Sequence, residues 1–341
     1  MRILIVKLSS LGDVVHAMPA VQDLRQVYPE AQIDWVVECA FAPLVLRCKG
    51  VHRVIACELR RWRSDLLSGQ TRQEWQRFKA DLQQDNYDAV IDLQGLTKSA
   101  LVSWLARVKP GGKRYGMANQ TDGSSFEAPA RWVADVAITL PARSHAVTRA
   151  RQMCAQALGY TLPFYMSFGL LAQADKALPA MRNVAFKTGL RGVVVLAHGT
   201  SRQDKEWPLT HWRALAARLN SAGFGVALVH GNAAEEAVSN AIASGLAHAQ
   251  VWPRLALDAL TDSLSSSAGV IGVDSGLSHI AVALNRPHVQ IYNFDTAWRT
   301  GPLASALHMS VFARPTPDVD AVWQAWQDVS ASIAPSGFAP L

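Results

Sequence analysis

Residues 2–13 read Arg-Ile-Leu-Ile-Val-Lys-Leu-Ser-Ser-Leu-Gly-Asp, an apolar run that a lysine cuts short and a Ser/Gly loop follows. A short apolar run bounded by turn residues is typical of a buried strand. From residue 14 to residue 28, apolar residues recur at three- and four-residue steps, which predicts a helix. The stretch therefore predicts a strand, a loop and a helix in direct succession.

The loop carries the first candidate chemistry. Ligands of open α/β sheets bind at the carboxyl ends of the strands, which is where this loop lies. Gly12 lets the backbone turn tightly or approach a ligand closely. Asp13 stands where the helix begins, so two interpretations remain open: a helix cap, or a carboxylate that faces a ligand.

The same unit recurs along the chain, because β-rich runs alternate with helical patterns in both halves. Strands are predicted at residues 2–7, 32–37, 53–56, 88–92, 135–138, 192–197, 225–229, 269–273 and 288–292. Helices are predicted at residues 14–28, 97–107, 146–158, 210–220, 234–247, 258–267, 277–284 and 318–330. This alternation predicts an α/β fold with parallel sheets and crossover helices.

The chain is too long for one ordinary core, since a single apolar core stops growing near about 250–300 residues. Its 341 residues are 50% hydrophobic and 18% charged, which is typical of a globular protein and excludes a disordered or fibrous one. The pattern weakens over residues 160–191, where prolines and glycines recur, so we place an interdomain connection there. Residues 58–63 and 110–129 are predicted as surface loops.

Charge and cysteine content limit the classes of partner and compartment. The net charge of +6 favours an anionic partner without separating nucleic acid, phosphorylated sugar, nucleotide and anionic lipid. The four cysteines lack zinc-site spacing, which favours reduced thiols and a cytoplasmic location. No apolar run approaches the ~18–20 residues of a spanning helix, so we expect any membrane contact to be peripheral.

The second candidate site is residues 272–279, Gly-Val-Asp-Ser-Gly-Leu-Ser-His, which again place a glycine-bearing loop between a strand and a helix. Amides at a helix N-terminus and its partial positive charge favour an anion such as a diphosphate. Neither the dinucleotide fingerprint nor the P-loop pattern occurs. The alternative is a tight turn that Ser275 caps.

The third candidate site is residues 198–208, which follow the first strand of the second half. Hydroxyls of Thr200 and Ser201 and cations of Arg202 and Lys205 can hold phosphate oxygens and neutralise a departing nucleotide. The alternative is a solvated polar loop, and His198 by itself is more often a structural histidine.

Six motifs occur in one order over most of the chain: KLSSLGD at 7–13, LRRWR at 59–63, DLQGLTKSA at 92–100, HAVTRAR at 145–151, TSRQDKEWP at 200–208 and VDSGLSHIAVAL at 273–284. Together they resemble the heptosyltransferases of glycosyltransferase family 9. The first two motifs favour the branch that adds the first heptose of the lipopolysaccharide core.

The resemblance implies a GT-B fold, in which two Rossmann-like parallel-sheet domains face each other across a cleft. It implies an acceptor-binding domain at 1–165, joined by a C-terminal helix at 318–333, and a nucleotide-sugar-binding domain at 180–315. It further implies inverting transfer of L-glycero-D-manno-heptose from ADP-L-glycero-β-D-manno-heptose to the inner 3-deoxy-manno-octulosonic acid (Kdo) of Kdo2-lipid A.

The resemblance also implies site residues. Asp13 matches the family's catalytic aspartate, a general base for the acceptor hydroxyl, and Lys205 would stabilise the departing ADP. The residues that match donor contacts are Thr200, Ser201, Glu235, Leu255, Asp274, Ser275, Gly276, Leu277 and His279. Ser201 and Ser275 stand where threonine is common in relatives, and Leu255 departs further from the family pattern.

Basic residues are the candidates for binding the anionic acceptor. Arg60, Arg61, Arg63 and Lys98 would form a clamp for its phosphates and carboxylates, with Lys113 and Arg114 as weaker candidates. Solvated surface charge is the alternative for all six.

We expect no required cofactor and no metal site; a magnesium requirement has no support in the sequence. The expected partners are ADP-heptose and Kdo2-lipid A, with no nucleic acid, for a monomer on the cytoplasmic face of the inner membrane. The alternatives are a second heptosyltransferase, a related sugar-nucleotide transferase, or a non-catalytic basic binding protein.

Overall fold

The computed structural model describes residues 1–65, 67–178 and 189–331. The chain divides into two compact units, Met1–Leu171 and Ala172–Leu341. This division falls inside the stretch 160–191 that the sequence indicates as a connection. Part of that stretch, residues 179–188, and the last two residues of the predicted helix at 318–333 lie outside the described residues.

The first unit is built on a six-stranded, all-parallel sheet with strand order β3-β2-β1-β4-β5-β6. Its strands are β1 (Arg2–Val6), β2 (Gln32–Glu38), β3 (Val51–Cys57), β4 (Asn86–Asp92), β5 (Arg107–Met117) and β6 (Val136–Ile138). Its helices are α1 (Leu11–Val27), α2 (Ala42–Val45), α3 (Leu59–Ser64), α4 (Gly69–Leu82), α5 (Thr97–Leu105), α6 (Ala128–Val133) and α7 (Ala146–Leu158). Residues 3–6 of the central strand β1 are apolar and buried because helices cover both faces of a parallel sheet.

The second unit repeats this architecture with strand order β12-β11-β10-β7-β8-β9, again all parallel. Its strands are β7 (Val193–Ala197), β8 (Gly225–Leu228), β9 (Ala249–Val251), β10 (Gly269–Val273), β11 (His288–Tyr292) and β12 (His308–Phe312). Its helices are α8 (Leu209–Ser221), α9 (Ala233–Ala243), α10 (Leu257–Ser265), α11 (Gly276–Ala283), α12 (Ala297–Thr300) and α13 (Val319–Ala331). The predicted α/β class is confirmed in both units.

Helix α1 begins three residues earlier than predicted. Ser10 is its N-cap, and Asp13 occupies the third helical position, where its carboxylate accepts the Ser10 backbone N–H at 3.0 Å. Asp13 is therefore part of a capping box and lies inside the first turn, where a carboxylate is favoured by the helix dipole.

Both segments predicted as loops contain regular structure. Residues 59–64 form α3, because Trp62 buries its ring against Trp75 and Phe78 at centroid distances of 5.7 and 5.6 Å. Residues 107–117 form β5, a polar strand that packs between β4 and β6 with a register shift near Tyr87. The loop prediction is wrong for residues 59–63 and 110–117, because tertiary burial and strand pairing outweighed local composition, and it is confirmed for residues 118–127.

The last helix, α13, packs within the second unit. Its residues Val322, Ala325, Trp326 and Val329 belong to the second unit's core, where Trp326 meets Phe224 at 5.7 Å. Trp207 also donates from Nε1 to the Pro317 carbonyl at 2.8 Å, which fixes the start of this helix. The described part of this helix, which ends at Ala331, lies in the second compact unit, and the prediction that a C-terminal helix joins the first domain stays a prediction.

No helix among the described residues is both long and apolar enough to span a bilayer.

Trp326→Ala should lower the free energy of unfolding of the second unit by about 3–5 kcal/mol, the usual cost of deleting a buried aromatic side chain. Urea unfolding measures this loss. Trp323→Ala is the matched control on the same helix, because Trp323 is only partly buried. Equal losses from both variants would contradict the packing described here.

Candidate functional site

The first unit gathers polar groups where β1 ends. Lys7 Nζ lies 3.8 Å from Asp13 Oδ1 and donates to the Leu93 carbonyl at 3.1 Å. The other carboxylate oxygen, Oδ2, accepts the Ser10 N–H and the Ser10 hydroxyl at 3.0 and 2.9 Å. The Asp13 side chain keeps 36% of its surface exposed, whereas Lys7 is buried. Asp13 is thus held in place and still reachable.

The electrostatics of this site keep Asp13 ionised. Burial raises the pKa of the Asp13 carboxyl, but the Lys7 ammonium and the two Ser10 hydrogen bonds outweigh it and bring the pKa below its usual value. Burial also lowers the pKa of Lys7, and Asp13 opposes that shift. The site therefore presents a carboxylate at neutral pH. Lys7 was assigned no role in the sequence analysis.

Behind Asp13 lies a small cavity of about 10 Å³, lined by Lys7, Asp13, His16 and Arg149 among others. Arg149 is buried and donates from Nη1 to Thr121 Oγ1 at 3.1 Å. Arg149 belongs to the HAVTRAR motif, yet the sequence assigned it no role. Its motif membership was the signal that could have marked it.

The DLQGLTKSA motif supports this loop. Gln94 Oε1 accepts the N–H groups of Leu8 and Ser9, both at 3.1 Å. Buried Asp92 accepts the amides of Gln94 and Gly95 at 2.8 and 3.1 Å, so the second loop is itself rigidly held. The motif therefore orients the backbone that precedes Asp13.

Lys98 and Arg60, two of the predicted acceptor-binding residues, lie beside this loop. Lys98 Nζ donates to Ser9 Oγ at 2.7 Å. Burial lowers the pKa of Lys98, and the nearby positive charge of Arg60 lowers it further. Glu38, at the end of β2, accepts the Arg60 backbone N–H, and burial raises the pKa of its carboxyl. The structure thus brings Arg60, Lys98 and the unpredicted Glu38 into one charged group.

The three arginines of LRRWR have different surroundings. Arg61 pairs with Glu58 and Glu74, and Glu74 also accepts the Trp62 indole N–H at 2.8 Å. Arg61 therefore ties α3 to α4. Arg60 and Arg63 have exposed side chains.

The weaker candidates also divide. Arg114 bonds the carbonyls of Ser103 and Ala106, each at 2.9 Å, whereas Lys113 is exposed.

A groove of about 700 Å³ separates α3 and α4 from the start of α5. Its apolar lining includes Leu59, Trp62, Trp75, Leu96 and Leu101, and its basic residues are Arg63, Arg72 and Lys98. An apolar floor with cations around it suits an amphiphilic anion.

In the second unit, Asp274 is the centre of a compact charged cluster. Lys205 Nζ donates to Asp274 Oδ2 at 2.7 Å, and His279 Nε2 lies 3.6 Å from Oδ1. Thr200 Oγ1 lies 3.5 Å from the Asp274 carbonyl oxygen. Burial raises the pKa of the Asp274 carboxyl, but His279 and Lys205 outweigh it, so the pKa falls below its usual value. The structure unites four predicted donor-site residues here.

The N-terminus of α11 presents polar groups that can bind an anion. Ser275 is its N-cap, and the buried Ser275 Oγ has no hydrogen-bond partner among the described residues. Gly276 and Leu277 follow in the first turn, where backbone amides have no intrahelical acceptor. A side chain at Gly272 would meet Ser278 Oγ at 2.6 Å, so the strand end tolerates only glycine without rearrangement. These groups can hold phosphate oxygens.

Glu235 borders the 198–201 loop. It accepts the N–H of Gly231 at 2.7 Å and the amide of Asn232 at 3.0 Å, and a Cβ at Gly199 would lie 2.8 Å from its carboxylate. His198, as the structural interpretation predicts, bonds Ser239 at 2.8 Å.

The remaining predicted donor residues have not been placed in the Asp274 cluster. Ser201 is exposed, and Arg202 is bonded to Asp204 at 3.0 Å. Leu255 is half-buried between β9 and α10. The place of Leu255 beside the nucleotide base stays a prediction.

No group of three or more His, Cys, Asp or Glu side chains suited to a metal ion occurs in the described part of the chain.

Comparison with known proteins identifies relatives along most of the chain. The family described as Glycosyltransferase family 9 (heptosyltransferase) matches residues 75–322. Lipopolysaccharide heptosyltransferase 1 of Escherichia coli (strain K12) is 38% identical over 293 residues, which are 86% of this chain and 88% of the relative. The protein of the same name from Pseudomonas aeruginosa is 39% identical over 310 residues, 88% and 81% of the two chains.

Solved structures agree with the sequence relatives. The structure described as E. coli heptosyltransferase WaaC with ADP superposes with a TM-score of 0.84 at 33% identity, and the match covers 96% of this chain and 100% of that one. E. coli ADP-heptose lps heptosyltransferase II has a TM-score of 0.74 at 23% identity, covering 97% and 98%, and supports the fold alone.

Lys7→Met should raise the pKa of the Asp13 carboxyl, because the ammonium that favours the ionised form is removed while burial remains. Carboxyl NMR titration measures the pKa without any assumption about function. Lys98→Met is the matched control, since Lys98 bonds Ser9 and not Asp13. A larger rise in the control than in Lys7→Met would contradict the assigned pairing.

Proposed function

The chain belongs to glycosyltransferase family 9, the heptosyltransferases, and on this premise we propose that it transfers L-glycero-D-manno-heptose from ADP-heptose to the inner Kdo of Kdo2-lipid A. Two relatives at 38% and 39% identity carry the name lipopolysaccharide heptosyltransferase 1, and a similar structure was solved with ADP. The observation that carries the proposal is the pairing of buried Lys7 with an ionised, reachable Asp13.

On the acceptor side, Asp13 acts as the general base. The Kdo hydroxyl oxygen attacks the anomeric carbon while its proton passes to the Asp13 carboxylate. The bond from the anomeric carbon to the phosphate oxygen breaks, its electron pair leaves with ADP, and the configuration inverts. Support comes from the position of Asp13, which Ser10 orients through one carboxylate oxygen.

On the donor side, Lys205 and the α11 N-terminus stabilise the negative charge that develops on the departing diphosphate. Lys205 is oriented by Asp274, and the amides after Ser275 point outward from the first turn. Thr200 and Ser201 supply hydroxyls, and Glu235 contacts the nucleotide ribose. We propose that this charge stabilisation replaces a divalent metal and that no cofactor takes part.

Arg60, Arg63 and Lys98 bind the carboxylates and phosphates of the acceptor. Their support is the position of Lys98 on Ser9 and the exposure of both arginines. In this proposal Arg61 acts indirectly, because its guanidinium already pairs with two carboxylates that hold α3 in place.

We further propose that the protein acts as a monomer on the cytoplasmic face of the inner membrane, where such an acceptor would be embedded. The net charge of +6 supports attraction to an anionic membrane surface.

The decisive experiment is transfer measured on a panel of purified nucleotide sugars with Kdo2-lipid A and with the singly heptosylated product as acceptors. Transfer of heptose to the unheptosylated lipid supports the proposal. Preference for the heptosylated acceptor would instead assign a second heptosyltransferase.

Asp13→Asn should lower the transfer rate by about 100- to 10,000-fold, the usual contribution of a general base. ADP binding measured by calorimetry should stay unchanged, because the base acts on the acceptor. Asp122→Asn is the matched control at an exposed aspartate. Loss of ADP affinity equal to the loss of rate would overturn the assigned role.

Lys205→Ala should lower the turnover number by about 100- to 1000-fold, the usual effect of removing a group that stabilises transition-state charge. Arg202→Ala is the matched control in the same loop, where loss of an exposed ion pair should cost less than about fivefold. Steady-state kinetics at saturating donor distinguishes the two. Unchanged turnover of the Lys205 variant would contradict the proposed stabilisation of the leaving group and would indicate a structural role for Lys205.

A further inference from the structure

Two tryptophans of the first unit are exposed on neighbouring helices. All eleven tryptophans lie within the described residues, and only Trp104 and Trp132 have most of their surface exposed, at 63% and 78%. Trp104 lies on α5, Trp132 lies on α6, and the two helices pack against each other. Tryptophan is highly buried on average, so two exposed indoles on adjoining helices indicate an interaction surface.

Arg114 connects the ends of the two helices that carry these tryptophans. Arg114 donates from its guanidinium to the carbonyls of Ser103 and Ala106, which flank the end of α5. Its backbone N–H donates to Asp135, three residues after Trp132, at 2.8 Å. The C-terminal ends of α5 and α6 are therefore both tied to one residue of β5.

The surroundings of the two indoles are apolar and basic. Leu101, one turn before Trp104, is 40% exposed, and Arg107 and Arg131 are exposed at the ends of the two helices. Of the nearby acids, Asp135 pairs with Arg114, and Glu127 accepts the Thr97 N–H and keeps its negative charge near Lys98. We call Leu101, Trp104, Arg107, Arg131 and Trp132 the tryptophan face.

We propose that the tryptophan face docks onto an anionic lipid bilayer. Indole rings favour the membrane interface, where their apolar part is buried and the N–H stays hydrated. The flanking arginines would bind lipid phosphates. The proposal rests on the proposed function, whose acceptor is a membrane lipid.

The position of the face relative to the acceptor residues supports this occupant. Helix α5 starts beside Lys98, which bonds the loop before Asp13, and reaches Trp104 six residues later. Six residues of helix advance about 9 Å. A lipid whose headgroup lies at Lys98 would therefore have its bilayer within reach of Trp104.

Vesicle cosedimentation tests the proposal on the full chain. We expect binding to vesicles that contain phosphatidylglycerol and little binding to pure phosphatidylcholine. Trp104→Ser combined with Trp132→Ser should weaken vesicle binding at least about tenfold. Two indoles that become partly buried in the bilayer contribute more than about 1.4 kcal/mol to binding. Arg131→Gln should weaken it about fivefold, equivalent to about 1 kcal/mol for one basic residue at an anionic surface.

Phe164 and Tyr165 provide the matched control. They are 92% and 81% exposed, and their rings meet at 5.2 Å in the same unit. Phe164→Ser combined with Tyr165→Ser should leave vesicle binding unchanged. Equal weakening by both double variants, no weakening by the tryptophan pair, or a change of oligomeric mass caused by the tryptophan pair would each overturn the proposal.

A soluble acceptor separates this proposal from the proposed function. Transfer to an acceptor fragment without acyl chains should be the same for the wild type and for the double tryptophan variant. Wild-type protein that binds vesicles but transfers nothing to any acceptor would contradict the proposed function alone. Normal transfer together with equal vesicle binding by the wild type and the double tryptophan variant would contradict the proposed role of the tryptophan face alone.

Discussion

A parallel strand covered by helices on both faces has no room for unsatisfied polar groups along its length. In this chain residues 3–6 of β1 and all of β7 and β10 are apolar and buried, and polar residues follow directly after each of these strands. The segments that follow are KLSSLGD, HGTSRQDK and DSGLSH, which carry the proposed catalytic and diphosphate-binding groups. The burial requirement of the sheets thus determines where chemistry can occur.

Both units use a lysine to hold a carboxylate in its ionised form. Lys7 lies beside Asp13 in the first unit, and Lys205 bonds Asp274 in the second. In each case burial works against the charge on the carboxylate. At Asp13 the Lys7 ammonium and the Ser10 hydrogen bonds outweigh burial, and at Asp274 His279 and Lys205 do so. The consequences differ because of exposure. Asp13 is a third exposed and can accept a proton, whereas Asp274 is buried and instead orients Lys205 and His279.

Basic residues on the first unit fall into two groups by their partners. Arg61 and Arg114 bond carboxylates or carbonyls of the protein and stabilise α3 and α5. Arg60, Arg63 and Arg131 have exposed side chains that can meet an external anion. Net charge alone cannot make this distinction, because it counts both groups equally.

The sequence by itself determined the α/β class, the central strands of both sheets and the family, since burial periodicity and motif order are properties of the chain alone. It missed helix α4 and the edge strands β9 and β12. It also located Asp13, Lys205 and the 274–279 turn, because strand ends can be read from where apolar runs stop.

Tertiary structure decided what needed a distant partner. Residues 59–64 became a helix through Trp62 on Trp75 and Phe78, and residues 107–117 became a strand through β4 and β6. The last helix packed in the second unit because Trp326 fits against Phe224. Glu38 reaches the site from the end of β2, and the burial of Lys7 and Arg149, which two of the motifs contain, depends on the packing around them.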